Sequence, residues 1–302
     1  MTDNPSVRIH APLPDGVSQA TIGVRGGLLR SEFEETAEAL YLSSGYVYQT
    51  AADAEKAFTG EIDRFVYSRY GNPTISMFEE RLRLIEGAPA CFATATGMAA
   101  VFTSLGALLG AGDRLVAARS LFGSCFVVCN EILPRWGVET VFVDGEDLAQ
   151  WEQALSKPTQ AVFFETPSNP MQSLVDIAAV SELAHDAGAK VVLDNVFATP
   201  LLQQGVPLGA DVVVYSGTKH IDGQGRVLGG AILGEKEYID GPVQTLMRHT
   251  GPAISAFNAW ILLKGLETLA VRVDYANHSA YRVAEFLEGH PAVRRVKYPF
   301  LE

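Results

Sequence analysis

Short apolar runs alternate with segments of helical periodicity from about residue 70 onwards. Continuous apolar runs are typical of strands buried on both faces, and amphipathic segments between them are typical of helices that cover a parallel sheet. The sequence therefore predicts an α/β protein built around a mostly parallel sheet. The predicted strands are 90–93, 115–118, 140–143, 161–164, 191–193, 212–215 and 231–233.

The clearest helix signal begins at Asn72. Asn72 is a favoured N-cap residue, Pro73 suits the first helical position, and Gly87 suits the C-terminal cap. Helical spacing also predicts helices over 97–109, 121–136 and 177–187, and a long helix from about residue 255 that leaves the main domain. The predicted domains are an irregular arm over 1–65 with order only near 33–42, a large cofactor-binding domain over 66–265, and a linker helix with the start of a truncated C-terminal domain over 266–302.

Composition narrows the possible classes of protein. The chain is 48% hydrophobic, which suffices for a large core. Its formal net charge of −12 disfavours nucleic acid or an anionic membrane as a partner, and no apolar run is long enough to span a bilayer. Without a signal-peptide pattern at the N-terminus, we expect a cytoplasmic protein.

Cysteine and histidine usage agrees with that expectation. Cys91, Cys125 and Cys129 form no CxxC pair, so reduced thiols are expected, with core packing for the last two. The six histidines are scattered along the chain, and no pair has ligand spacing on one helix face. A metal site is therefore not expected.

The most informative candidate for a functional residue is a lysine that follows a predicted buried strand. The strand over 212–215 is followed by Ser216, Gly217, Thr218 and Lys219, and the strand over 191–193 ends at Asp194. This combination suits pyridoxal phosphate (PLP), because a lysine forms its Schiff base, a carboxylate pairs with its pyridinium nitrogen and hydroxyls bind its phosphate. Taken alone, Lys219 is equally compatible with a surface lysine after a buried strand.

Two further segments fall at the ends of predicted strands, where α/β proteins bind ligands. Gly97 and Met98 open a predicted helix, so their backbone N–H groups would face an anion. Asn169 lies in a loop with prolines at 167 and 170, and its amide would point into the site. An ordinary turn remains the alternative for both segments.

Aromatic and basic residues complete the set of candidates. Arg69 offers a planar fork suited to phosphate, with the Tyr67 hydroxyl nearby in sequence, and an exposed aromatic-basic turn is the alternative. Phe122 would stack on a flat ring, unless it is simply a core residue. The glycine-rich segment over 221–230 opens no helix, and therefore it fails as a dinucleotide fingerprint.

As a set, these motifs resemble the Cys/Met-metabolism family of PLP enzymes, the cystathionine γ-synthase group, from about Tyr67 to the chain end. The resemblance implies the aspartate aminotransferase-like fold (PLP fold type I), a three-layer α/β sandwich with a seven-stranded sheet. It implies a Schiff-base lysine at Lys219 and a ring-nitrogen partner at Asp194. It implies that the phosphate is bound by Gly97, Met98, Ser216 and Thr218.

The same resemblance implies an assembly and a substrate contact. Tyr67 and Arg69 would reach the phosphate of a neighbouring subunit, which implies a homodimer or a homotetramer. Asn169 would lie beside the phenolic oxygen of the cofactor and the substrate carboxylate. Two features depart from the family: many members have tyrosine where Phe122 stands, and members continue to an arginine for the substrate carboxylate that is not in this chain.

The surroundings of Phe122 and Lys219 indicate a branch within the family. Phe-Gly-Ser from Phe122, and Ile-Asp-Gly-Gln-Gly-Arg two residues after Lys219, are similar to the branch that converts O-succinylhomoserine and sulfide into homocysteine and succinate in methionine biosynthesis. Ser124 stands where methionine γ-lyases often have cysteine. Cystathionine γ-synthase, an O-acetylhomoserine sulfhydrylase, a methionine γ-lyase and a non-catalytic PLP-binding homologue remain alternatives.

Overall fold

The computed structural model describes residues 8–9, 13–299 and 301. The strands are β1 (Arg8–Ile9), β2 (Leu29–Arg30), β3 (Ala90–Thr94), β4 (Arg114–Ala118), β5 (Glu139–Val143), β6 (Ala161–Glu165), β7 (Lys190–Asp194), β8 (Val212–Ser216) and β9 (Gly230–Gly234). The helices are α1 (Gln19–Arg25), α2 (Ala51–Thr59), α3 (Pro73–Glu86), α4 (Gly97–Leu108), α5 (Gly123–Val127), α6 (Leu148–Leu155), α7 (Ile177–Asp186), α8 (Thr199–Leu202), α9 (Lys236–Tyr238), α10 (Gln244–Thr250), α11 (Ala256–Glu267) and α12 (Leu269–Glu288).

Seven strands form one sheet in the order β3-β9-β8-β7-β6-β4-β5. Strand β9 is antiparallel to both of its neighbours, whereas the pairs from β8 to β5 are parallel. All seven predicted strands are confirmed, each within one residue at either end. The inner strands are buried on both faces, which is why each one is a continuous apolar run in the sequence.

Helices cover both faces of this sheet and give the predicted three-layer sandwich. One core cluster contains Trp151, Phe164 and Leu262. The cluster on the other face contains Leu105 and Cys125 with its neighbours. The core packing expected for Cys125 and Cys129 is confirmed, because both side chains are buried.

Helix α3 has the ends that its sequence predicts. The side chain of Asn72 accepts hydrogen bonds from the backbone N–H groups of Thr74 and Ile75, at 2.9 and 3.4 Å. Pro73 occupies the first turn, where its missing N–H has no cost. Gly87 ends the helix at φ 79°, a conformation that glycine adopts without strain.

Two predicted helices differ from the structure. The segment over 121–136 is α-helical only in α5, which begins after Phe122, and continues as a π-helical turn and a 3-10 turn. Pro134 has no N–H to donate to the carbonyl four residues earlier, so a regular α-helix cannot continue there. The long helix predicted from about residue 255 is two helices, α11 and α12, with a break at Thr268.

The prediction that order in the arm is confined to 33–42 was wrong, because helices α1 and α2 lie outside that segment. The segment itself forms no helix or strand. Within the segment, Glu38 is buried and pairs with Arg81 and Lys264, so side-chain ion pairs hold it in place. Of the predicted arm, residues 1–7 and 10–12 lie outside the described residues.

The division into three domains stays a prediction. The break at Thr268 falls close to the predicted boundary after residue 265. Helix α12 buries only Leu269, Val273 and Ala284, and it is the most exposed of the long helices. In the described ranges, no helix combines the length and the apolar character that crossing a bilayer requires.

Candidate active site

A cavity of about 540 Å³ lies where strands β6, β7 and β8 end. Ligands of α/β proteins bind at this edge of the sheet. Eight of the ten predicted cofactor-site residues line it, and they are Gly97, Met98, Phe122, Asn169, Asp194, Ser216, Thr218 and Lys219. The fold therefore brings together residues that are far apart in the sequence, up to the 122 positions between Gly97 and Lys219.

Lys219 lies in a tight turn directly after β8. Its backbone N–H donates to the Ser216 carbonyl at 3.2 Å, and its own carbonyl accepts from Gly223 at 2.8 Å. The guanidinium of Arg272 donates to the carbonyls of His220 and Ile221, at 2.7 and 3.1 Å, and so ties the turn to helix α12. The lysine is thus presented to the cavity from a segment that is fixed on both sides.

Asp194 is a buried carboxylate at the end of β7. It is 6% exposed, and its Oδ1 accepts from the Val196 N–H at 3.1 Å. Burial raises the pKa of Asp194 to about 6, and among the described residues it takes part in no salt bridge. A buried carboxylate without a cation fits a ligand that brings a positive charge, such as a protonated ring nitrogen.

The N-terminus of α4 forms the anion-binding end of the cavity. Thr96 is its N-cap and accepts from the Ala99 N–H at 3.0 Å. The N–H groups of Gly97 and Met98 belong to the first turn, where a helix supplies no acceptor for them. A Cβ on Gly97 would lie 2.5 Å from the Cβ of Ser216, so α4 can begin against β8 only with glycine there.

Thr218, a predicted phosphate ligand, forms hydrogen bonds with Gly229 through its hydroxyl. Its hydroxyl donates to the Gly229 carbonyl at 3.3 Å and accepts from the Gly229 N–H at 3.1 Å. These bonds hold the lysine turn against the segment that leads into β9. A phosphate is an acceptor, so binding it through Thr218 requires the hydroxyl proton to turn away from Gly229.

Tyr67 and Arg69 do not line this cavity. Arg69 donates to the carbonyl of Arg248, and its guanidinium lies over the rings of Tyr67 and Tyr70 at 5.3 and 5.1 Å. Tyr67 is 41% exposed. These two predicted residues therefore contact each other and do not line the cavity formed by the other eight.

Glu165 begins the candidate segment that contains Asn169, but no role was predicted for it. It is the last residue of β6, lines the cavity and is 4% exposed. Its Oε2 accepts from the Phe122 N–H at 2.8 Å, and its Oε1 accepts from the Asn169 N–H at 3.2 Å. Burial, and then the nearby charge of Asp194, raise the pKa of Glu165 to about 7.

His220 and Phe197 were also missed, and both line the cavity. Their ring centroids are 6.3 Å apart. Burial, followed by the charge of Arg272, lowers the pKa of His220 from its ordinary value, which favours the neutral ring at pH 7. The sequence signal that could have identified them is their proximity to predicted site residues: His220 directly follows Lys219, and Phe197 lies three residues after Asp194.

The residues present fit PLP. The first turn of α4 offers N–H groups to a phosphate, because the glycine at 97 leaves the backbone accessible. Asp194 offers a buried carboxylate that forms no salt bridge with the described residues, and Lys219 offers a primary amine. Phosphate, ring nitrogen and aldehyde of PLP are the groups that these three features bind.

Comparisons with known proteins agree with this fit. The sequence profile of the family described as "Cys/Met metabolism PLP-dependent enzyme" matches residues 20–302. A relative in Mycobacterium tuberculosis, named O-succinylhomoserine sulfhydrylase, is 83% identical over 301 residues. The match covers 100% of this chain and 74% of that relative, so the chain spans about three quarters of its length.

Solved structures have the same fold. The crystal structure of metB from Corynebacterium glutamicum superposes with a TM-score of 0.90 at 32% identity, over 96% of this chain and 74% of that one. A putative O-acetylhomoserine (thiol)-lyase (metY) from Campylobacter jejuni superposes with a TM-score of 0.89 at 29% identity, over 95% of this chain and 79% of that one. The latter contains N'-pyridoxyl-lysine-5'-monophosphate.

Proposed function

Because the chain belongs to the Cys/Met metabolism PLP-dependent enzyme family, we propose that it catalyses γ-replacement on O-succinylhomoserine with sulfide. The products are homocysteine and succinate. The observation that carries the proposal is the placement of Lys219, Asp194 and the first turn of α4 in one cavity. The substrate is proposed from the name of the 83% identical relative and from the Phe-Gly-Ser sequence that begins at Phe122.

Different cavity residues would bind different groups of the cofactor. Gly97, Met98 and Ser216 would hold its phosphate, Asp194 would hold the proton of its ring nitrogen, and Lys219 would hold it covalently. When bound, PLP withdraws electrons from the substrate Cα and so makes its proton acidic. Cavity residues with exposed apolar surface, Phe122, Phe197 and Leu228, would limit the access of water to the reacting carbons.

Lys219 would also move protons. It is the amine of the cavity, and its Nζ would accept the proton that leaves Cα and return a proton to the carbon chain later in the reaction. Loss of a Cβ proton and of succinate from Cγ precedes the addition of sulfide to Cγ. Asn169 would orient the substrate through its side-chain amide, which requires that its loop keep a fixed position.

A product assay tests the proposed reaction. The protein with added PLP is expected to release homocysteine from O-succinylhomoserine and sulfide, and to release succinate in equal amount. Replacing sulfide by cysteine is expected to give less product, and O-acetylhomoserine is expected to be a poorer substrate. Faster turnover with cysteine would reassign the enzyme as a cystathionine γ-synthase, and release of methanethiol from methionine would reassign it as a lyase.

We also propose that Tyr67 and Arg69 complete the phosphate site of a second copy of the chain, in a homodimer or in a tetramer of such dimers. Support comes from their position, because both lie outside the cavity of their own chain. Arg69 offers planar donors suited to phosphate, and Tyr67 is 41% exposed in the single chain. The three free cysteines support a reducing compartment, and we propose the cytoplasm.

Hybrid dimers test this shared site. One subunit carries Lys219→Ala, the other carries Arg69→Ala, and hybrids are isolated through two different affinity tags. If Arg69 acts across the interface, one of the two sites keeps both residues, and turnover is expected at about half that of the unmodified dimer. Each parent homodimer has a defect in both sites and serves as control. A hybrid no more active than its parents would show that Arg69 acts within its own subunit or not at all.

A further inference from the structure

We infer that Glu165 is a positioning residue that fixes two walls of the cofactor site at once, through the backbone N–H groups of Phe122 and Asn169. The inference rests on the proposed function, because these walls are walls of the PLP site. Phe122 is the proposed stacking residue, and Asn169 is the proposed substrate-orienting residue. Glu165 would act on both through their backbones.

Each carboxylate oxygen of Glu165 accepts a hydrogen bond from one of the two walls. Oε2 accepts from the Phe122 N–H at 2.8 Å, and Oε1 accepts from the Asn169 N–H at 3.2 Å. The carboxylate is 4% exposed, so water competes little with either bond. Hydrogen bonds to an ionised carboxylate are stronger than those between neutral groups, and Glu165, with its pKa of about 7, is mostly ionised above that pH. A buried N–H that loses its acceptor is destabilising.

The two walls lie at different distances from Glu165 in the sequence: the contact to Phe122 is distant, whereas Asn169 follows Glu165 by four residues. Phe122 immediately precedes α5 and has no side-chain cap bond, and 43 residues separate it from Glu165. Asn169 lies in the loop after β6, which is closed by the bond from the Gln172 N–H to the Ser168 carbonyl at 2.7 Å. That bond shapes the loop itself, whereas Glu165 ties the loop to the end of the sheet.

Glu165 also leaves the ring nitrogen to Asp194. The two carboxylates are paired in the register of β6 and β7. Glu165 uses both oxygens for backbone N–H groups, while Asp194 uses Oδ1 for the Val196 N–H. Among the described residues, Asp194 Oδ2 accepts no hydrogen bond, so this oxygen is available to a ligand while Glu165 serves as the fixed support beside it.

Glu165→Gln separates this role from general stability. The amide keeps one acceptor oxygen and replaces the other by a donor, so one of the two backbone N–H groups loses its partner. The PLP dissociation constant is expected to rise about tenfold, equivalent to about 1.4 kcal/mol. The visible circular dichroism of bound PLP, which reports how rigidly its surroundings are arranged, is expected to fall.

Asp211→Asn is the matched control. The carboxylate of Asp211 accepts from the Val191 N–H at 2.8 Å, near the start of β7 and away from the cavity. It also pairs with Lys190 and His185. This variant loses stability for a similar reason, but its PLP affinity and visible circular dichroism are expected to match those of the unmodified protein.

Two results would overturn the inference. One is unchanged PLP affinity and circular dichroism in Glu165→Gln, and the other is an equal loss of both in Asp211→Asn. If Glu165→Gln does not fold, amide hydrogen exchange of the unmodified protein without PLP is measured instead. Slow exchange of the Phe122 and Asn169 N–H groups is expected. Fast exchange of both groups would contradict the inference. Failure of the unmodified protein to bind PLP would instead count against the proposed function, because the exchange measurement needs no cofactor.

Discussion

Lys219→Ala is expected to lower kcat by about 10⁴-fold, the upper range for removal of a general acid–base group. The variant lacks the cavity amine that would hold PLP covalently and move the Cα proton. Added PLP is expected to bind only non-covalently, through Gly97, Met98, Ser216 and Asp194, and therefore to wash out on gel filtration. Rates of homocysteine release and PLP retention are the measurements.

Lys219→Arg controls for the positive charge of the side chain. Arginine keeps that charge, but it neither deprotonates in a protein nor forms the covalent link, so it is expected to be as inactive as alanine. Both variants are expected to fold, because Lys219 contributes to its turn through backbone hydrogen bonds to Ser216 and Gly223. Turnover by either variant within tenfold of the unmodified enzyme would exclude the proposed role.

Asp194→Asn is expected to lower kcat by about 10²- to 10³-fold, the effect typical of removing a preorganised electrostatic group. Asparagine is similar in size and retains an oxygen for the Val196 N–H, so the end of β7 should keep its geometry. It has no negative charge with which to hold a proton on the ring nitrogen, and the electron-withdrawing power of the cofactor falls. Steady-state kinetics with saturating PLP measures the loss.

The raised pKa of Asp194 adds an expected pH dependence of PLP binding to this second prediction. Burial raises it to about 6 without cofactor, and a cationic ring nitrogen beside it would stabilise the charged form and lower it. PLP affinity of the unmodified protein is therefore expected to weaken as the pH falls through about 6, because protonated Asp194 must first lose its proton. The Asp194→Asn variant should lack this pH dependence, and an identical pH profile in both proteins would contradict the role.

The sheet and part of the site were predictable because their signals are local. Strands buried on both faces are apolar throughout, and Asn72 with Gly87 marks both ends of α3. Helix α2 was missed although Thr50 and Asp53 form a capping box that the sequence spells out. The direction of β9 could not be predicted, since periodicity reports burial and carries no information on strand orientation.

Glu165 could not be found from its surroundings in sequence. It follows a buried strand and precedes a proline-rich loop, a context that suits an ordinary turn. Its role depends on a backbone N–H that is 43 residues away and becomes its neighbour only because β4 and β6 are paired in the sheet. Lys219 and Asp194, in contrast, were recognisable because each residue type at a strand end already suggests its chemistry.

The central claim is that Lys219 carries PLP at the end of β8. Reduction of the PLP-loaded protein with borohydride, followed by peptide mass mapping, tests it most directly, because reduction makes the lysine link permanent. The account predicts a single pyridoxyl-phosphate adduct, on Lys219, whose formation O-succinylhomoserine suppresses. An adduct on another lysine, such as Lys190 or Lys264, or no adduct at saturating PLP, would contradict it.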